Sequence, residues 1–149
     1  MWEGVVCVGL AAPWGVRRQS GSLQFASTLY FQPVLAFLVS SVPPLWQAEI
    51  RLGLQEALVN AARHGNRLDP KKKITVEYCV QGEIFSWRIT DQGEDTVDCF
   101  RGECSVPDVL SEQGRGVYIL YQIFDRVEWS GHTLYLEKHL TSGKHPFIL

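Results

Sequence analysis

The sequence predicts an α/β sandwich, a mixed and mostly antiparallel sheet covered on one face by helices. One observation is a long amphipathic segment, residues 45–64, in which Ile50, Leu54, Leu58 and Ala61 form an apolar stripe at helical spacing. The other is a set of segments with apolar residues at every second position. Two of them, 74–80 and 83–91, are joined by Gln81-Gly82, and two more, 127–129 and 133–138, by Ser130-Gly131. Connections that short suit hairpins, so each pair is antiparallel. Helices and paired strands in this order build two layers.

Residues 1–21 differ in character from the remainder of the chain. Their apolar run is broken by Gly9, Pro13 and Gly15, and Arg17 and Arg18 come after it, the reverse of a secretory signal. A poorly ordered extension is expected there, and the folded domain is expected over 22–140 with a tail at 141–149. Leu23, Phe25, Leu29 and Phe31 alternate with polar or small neighbours and predict a strand. Pro33 suits a first helical turn, and a short helix over 34–42 should stop at Pro43-Pro44. The long helix then runs to His64, with Gly65-Asn66 as its stop. After the first hairpin, residues 92–113 hold two glycines, two cysteines, a proline and six acids. Connections of that length are usually functional, so a lid is expected. Gly114-Arg115-Gly116 opens a helix over 117–124, and the second hairpin closes the domain.

Composition removes several function classes. At 149 residues with 46% apolar and 20% charged residues, the chain is sized for one domain with an ordinary core. A net charge of −2 gives no reason to expect nucleic acid, and Lys71-Lys72-Lys73 reads as a solvated turn. Cys7, Cys79, Cys99 and Cys104 form no Cys-x-x-Cys pair, so reduced thiols in a cytoplasmic protein are expected and a zinc site is not. No apolar run is long enough to predict a membrane span.

Three places can carry chemistry. Glu56, Asn60 and His64 sit four apart, which stacks an acid, an amide and an imidazole along one helix face. A carboxylate there can take a proton, and an amide oxygen one turn on can hold a hard cation such as magnesium. Asp91 ends a strand, and Gly93 stands two residues on. An aspartate there can accept from an exocyclic amine while the glycine admits a flat ring, although Asp and Gly also make plain turns. Gly114-Arg115-Gly116 stands at a helix start, where free amides and the dipole favour a phosphate.

In this order the three resemble the boxes of the ATP-binding domain shared by gyrase, heat-shock chaperones, mismatch-repair ATPases and histidine kinases. Glu56-x-x-x-Asn60-Ala61-x-x-His64-Gly65 is similar to the asparagine box of bacterial anti-sigma-factor serine/threonine kinases. Asp91-Gln92-Gly93 is similar to the first glycine box and Gly114-Arg115-Gly116 to the second. The resemblance implies Glu56 as the catalytic base, Asn60 as the magnesium ligand, and ATP held by Asn60, Asp91, Gly93, Gly114, Arg115 and Gly116. His64 completes the motif as a structural histidine. It further implies a kinase whose partners are a sigma factor and an antagonist protein that it phosphorylates, with a homodimer left open. Two departures stand out. Glu94-Asp95 replace the usual continuation to a second glycine, and Glu112-Gln113 stand where some relatives carry arginine. Acids near a triphosphate oppose it, which keeps open a non-catalytic partner-switching module that holds nucleotide and transfers nothing.

Overall fold

The computed structural model describes residues 3–8, 18–94 and 112–141, with side chains over 18–94 and 115–141. The alternating segments become a six-stranded sheet: β1 (Glu3–Val8), β2 (Arg18–Ala26), β3 (Lys73–Gln81), β4 (Ile84–Thr90), β5 (Arg126–Ser130) and β6 (Thr133–His139). Their order across the sheet is β1-β2-β3-β4-β6-β5, and every neighbouring pair is antiparallel. The helices are α1 (Gln32–Leu38), α2 (Pro44–Asn60) and α3 (Glu112–Ile123), and a single π-helical turn, Ala61–Gly65, prolongs α2.

The register keeps one face apolar. Val76, Ile89 and Leu134 lie in one row, and Tyr78, Trp87 and Leu136 in the next. All six are buried, as are Ile50, Leu54 and Leu58 of α2 and Leu120 and Ile123 of α3, so the helices cover this face. Glycine lets α2 and α3 approach: a Cβ on Gly53 would stand 2.5 Å from the Phe124 ring.

One member of the apolar face is a lysine. Lys138 is wholly buried; its Nζ donates to the Ile123 carbonyl at 2.5 Å, where α3 ends, and lies 3.7 Å from a Glu49 carboxylate oxygen. The Trp46 ring lies 4.9 Å beneath the ammonium. A buried charge needs such partners, and here they come from α2, α3 and β6 together.

The opposite face is polar, and among the described residues no helix covers it. One row runs Glu77, Arg88, Tyr135, Glu128. Tyr135 donates to Glu137, and the His139 ring is 2.5 Å from the same carboxyl. Burial pushes the Glu137 carboxyl up, but those two hydrogen bonds and the charges of His139 and Arg126 outweigh it and hold it below the usual carboxylate range.

Four boundaries differ from the sequence expectation. β2 begins at Arg18, and Glu3–Val8 pairs with it as β1, so part of the expected extension is strand. The strand expected to reach Phe31 stops at Ala26, because its partner β3 begins opposite at Lys73. Thr28 Oγ1 then accepts from the Tyr30 amide in a turn, leaving Leu29 and Tyr30 exposed and Phe31 buried as the cap of α1. α1 ends at Leu38 rather than reaching residue 42, because the chain goes over to tighter turns in which the Ser40 and Val42 amides donate to the Phe37 and Val39 carbonyls. Finally, α3 starts at Glu112, so Gly114-Arg115-Gly116 lies within its first turns instead of ahead of them. Of the expected lid, residues 95–111 lie outside the described residues, as does most of the tail.

Candidate functional site

The face of α2 that carries Glu56 and Asn60 is half-buried, between the core stripe and solvent. α3 crosses it with a glycine at the crossing. A Cβ on Gly116 would stand 2.8 Å from Glu56 Oε2 and 3.8 Å from Asn60 Oδ1, so the missing side chain lets the α3 backbone stand against this pair without displacing the Glu56 carboxyl. Around them is a cavity of about 330 Å³ lined by Glu56, Val59, Asn60, Arg63, His64, Arg115, Gly116 and Ile119. It therefore brings together an acid, an amide, a helix start and two guanidinium groups. Arg63 is absent from the residues that the sequence alone singles out. It stands three positions after Asn60, which places it on the same face, and that spacing is the available signal.

The second group meets the first at the end of α2. The Asn66 amide donates to the Ala61 carbonyl at 2.8 Å, the i to i−5 bond that defines the π turn. Arg67 and Leu68 then take positive φ of 52° and 59°, which reverses the chain sharply. As a result His64 lines the cavity while Gly65, the next residue, faces Asp91. A Cβ on Gly65 would overlap the Asp91 carboxyl, and one on Gly93 would overlap the Gly65 carbonyl, each closer than 3.0 Å. Asp91, whose side chain is only 10% exposed, accepts from the Gly93 amide at 2.9 Å, and the His132 ring lies 3.2 Å from the same oxygen. Asn66, fully buried, ties the corner down: its Oδ1 accepts from the Gln92 amide at 2.8 Å and its Nδ2 donates to the Lys73 carbonyl at 3.1 Å. The sequence marks Asn66 only as a helix stop and gives no signal for His132, because the partners of each are remote in the chain.

Of the departures, Glu94 is 4.0 Å from the Arg67 guanidinium, an exposed pair that contributes about 0–1 kcal/mol. Asp95 lies outside the described residues, and so do the side chains of Glu112 and Gln113.

The Gly65 contact leads to a direct test. Gly65→Ala should destabilise the fold by about 1–3 kcal/mol, the usual result of forcing a methyl into a filled place. Adding Asp91→Ala should recover most of that, since the carboxyl is what the methyl meets. Equal denaturation midpoints for wild type and Gly65→Ala would show the packing to be looser than described.

An antiparallel sheet with helices on one face, and a cavity of acid, amide and guanidinium groups where its second and third helices cross, defines a class of two-layer α/β domain. The sequence profile of the histidine kinase-like ATPase domain matches residues 34–138. The chain belongs to that family. Among similar proteins, the anti-sigma F factor of Anoxybacillus flavithermus is 28% identical over 120 residues, covering 74% of this chain and 82% of the relative. The anti-sigma F factor of Halalkalibacterium halodurans is 26% identical over 118 residues, covering 73% and 81%. Among the described residues, no helix is long and apolar enough to cross a membrane.

Proposed function

We propose that this chain is a cytoplasmic anti-sigma regulator that binds ATP with magnesium and phosphorylates a serine or threonine of an antagonist protein. The observation that carries the proposal is the meeting of Glu56, Asn60 and the backbone at Gly116 in one cavity. The two named relatives supply the sigma-factor partner. In this reading Asp91 accepts a hydrogen bond from the adenine amine, with Gly93 beside the ring. Gly114 offers an amide of the first turn of α3 to the phosphates and Arg115 a guanidinium, while Gly116 lets the α3 backbone come close, and Arg63 adds a second positive charge at the cavity.

The donor set fits magnesium. Asn60 offers a hard oxygen beside the Glu56 carboxylate and would hold the cation through it. When bound, magnesium supplies neutralisation of phosphate charge. Glu56 does the rest that a side chain can do: it orients the hydroxyl of the protein substrate and takes its proton. Positioning and charge then account for most of the acceleration of phosphoryl transfer. A second reading, a module that binds nucleotide without transfer, draws on the acids that come after Gly93.

ATP with magnesium should stabilise the fold by about 4 kcal/mol at a thousandfold excess over the dissociation constant. Asn60→Ala should lose the magnesium-dependent part of that gain. A melting temperature indifferent to millimolar ATP would overturn the nucleotide reading. ATP binding with no transfer to any antagonist would favour the second reading.

A further inference from the structure

We propose that His132 is the positioning residue that makes the nucleotide site selective for a 6-amino over a 6-oxo purine. The inference rests on the reading of Asp91 as the acceptor for the base.

The β5–β6 hairpin is closed by two residues, Gly131 and His132, with Gly131 at φ +57°. A glycine first in a two-residue loop is what a tight hairpin of this twist requires. The loop is pinned to the end of β4. Thr90 pairs with Thr133, their hydroxyls 2.9 Å apart, and the Asp91 amide donates to the His132 carbonyl at 3.1 Å. The imidazole is thereby delivered to the Asp91 carboxyl by backbone bonds that do not depend on its own side chain. Its Nδ1 lies 3.2 Å from Asp91 Oδ1, with His132 one quarter exposed.

An ionised carboxylate only accepts, so Nδ1 must carry the hydrogen in this contact. Oδ1 then takes two donors, Nδ1–H of His132 and the amide of Gly93. Two donors on one oxygen fix the plane of the carboxyl and occupy the lone pairs of that oxygen. A carboxylate so held, unable to turn, is an acceptor and nothing else. It welcomes an exocyclic amine and repels a ring carbonyl oxygen, acceptor against acceptor. A carboxylate free to turn could instead accept from the N1–H of a 6-oxo purine and would discriminate poorly. Sites that demand a hydrogen bond discriminate strongly because the wrong ligand leaves a buried polar group unpaired.

The probes are ATP and inosine triphosphate, whose bases differ at position 6, amine against carbonyl, and at N1, acceptor against N–H donor. Affinities for both are measured by calorimetry with magnesium on the whole chain. The wild type should prefer ATP. His132→Leu should reduce the ATP-to-inosine preference by about tenfold or more, the loss of one hydrogen bond to a charged group. His132→Asn places an amide N–H at a similar distance from the backbone and should keep most of the preference. A merely structural hairpin residue would alter both affinities alike and would not be rescued by asparagine. Nitrogen NMR of the unmutated protein gives a reading that needs no variant: the hydrogen should reside on Nδ1 of His132. An Nδ1 without hydrogen, or an unchanged preference in His132→Leu, overturns the role of His132 alone. A wild type that binds neither triphosphate, or both equally, overturns the reading of Asp91 and this inference with it.

Discussion

Glu56→Gln should leave ATP affinity within a few-fold of wild type and slow phosphorylation of the antagonist by about 10²- to 10⁴-fold, the usual contribution of a positioned base. The substitution keeps the size of the side chain and the helix that carries it. It removes only the ability to accept a proton. Because the cavity also holds Asn60, Arg63, Arg115 and the backbone at Gly116, binding of the phosphates does not rest on Glu56 alone. Sigma-factor binding should persist in the variant, measured alongside transfer from labelled ATP. Equal transfer rates for wild type and variant would remove Glu56 from the mechanism, whereas loss of ATP binding would make it a structural part of the pocket.

Lys138→Met should destabilise the domain by about 3–5 kcal/mol, the effect of stranding one charge of a buried pair. Glu49 would be left 6% exposed without the ammonium 3.7 Å away, and the Ile123 carbonyl would lose its donor. The double variant Lys138→Met, Glu49→Leu should recover most of the loss, because two apolar side chains of similar volume need no charge partner. Urea unfolding of the three proteins decides it. A single variant within about 1 kcal/mol of wild type would mean that water or a rearranged partner already satisfies Glu49. The pair joins α2, α3 and β6, so its removal should loosen the crossing where Gly116 meets Glu56.

Much of this arrangement is legible without the fold, and the reason is local. Glu56 and Asn60 are one helical turn apart, so their shared face comes from spacing alone. The apolar stripe of Ile50, Leu54, Leu58 and Ala61 predicts its own burial for the same reason. The paired alternating segments announce β3–β4 and β5–β6 because each hairpin is written in adjacent residues. What escapes a reading of the sequence depends on distant partners. The end of β2 is set by where β3 begins, 47 residues after Ala26 and directly opposite it. Lys138 looks like the polar end of a strand, and only the packing of α2 and α3 makes it a core residue. His132 and Asn66 gain meaning from Asp91, Gln92 and Lys73, none of them neighbours in the chain. The π turn has no composition of its own that separates it from an ordinary helix end.

The pairing of Thr90 with Thr133 has a consequence for how this chain tolerates change in length. That rung fixes Asp91 on one side of the sheet's end, and α3 fixes Arg115 and Gly116 through its contact with α2. Residues 95–111 join these two fixed points. For a connection of this kind the entropy of closure grows only logarithmically, about 0.6 kcal/mol for each doubling of length. Insertions or deletions between Glu94 and Glu112 should therefore leave Asp91 and the α2–α3 crossing in place at little thermodynamic cost. By contrast, one residue added between Asn60 and Asn66 would rotate the π turn and carry Gly65 away from Asp91. Length variation should accumulate in the first interval and be purged from the second.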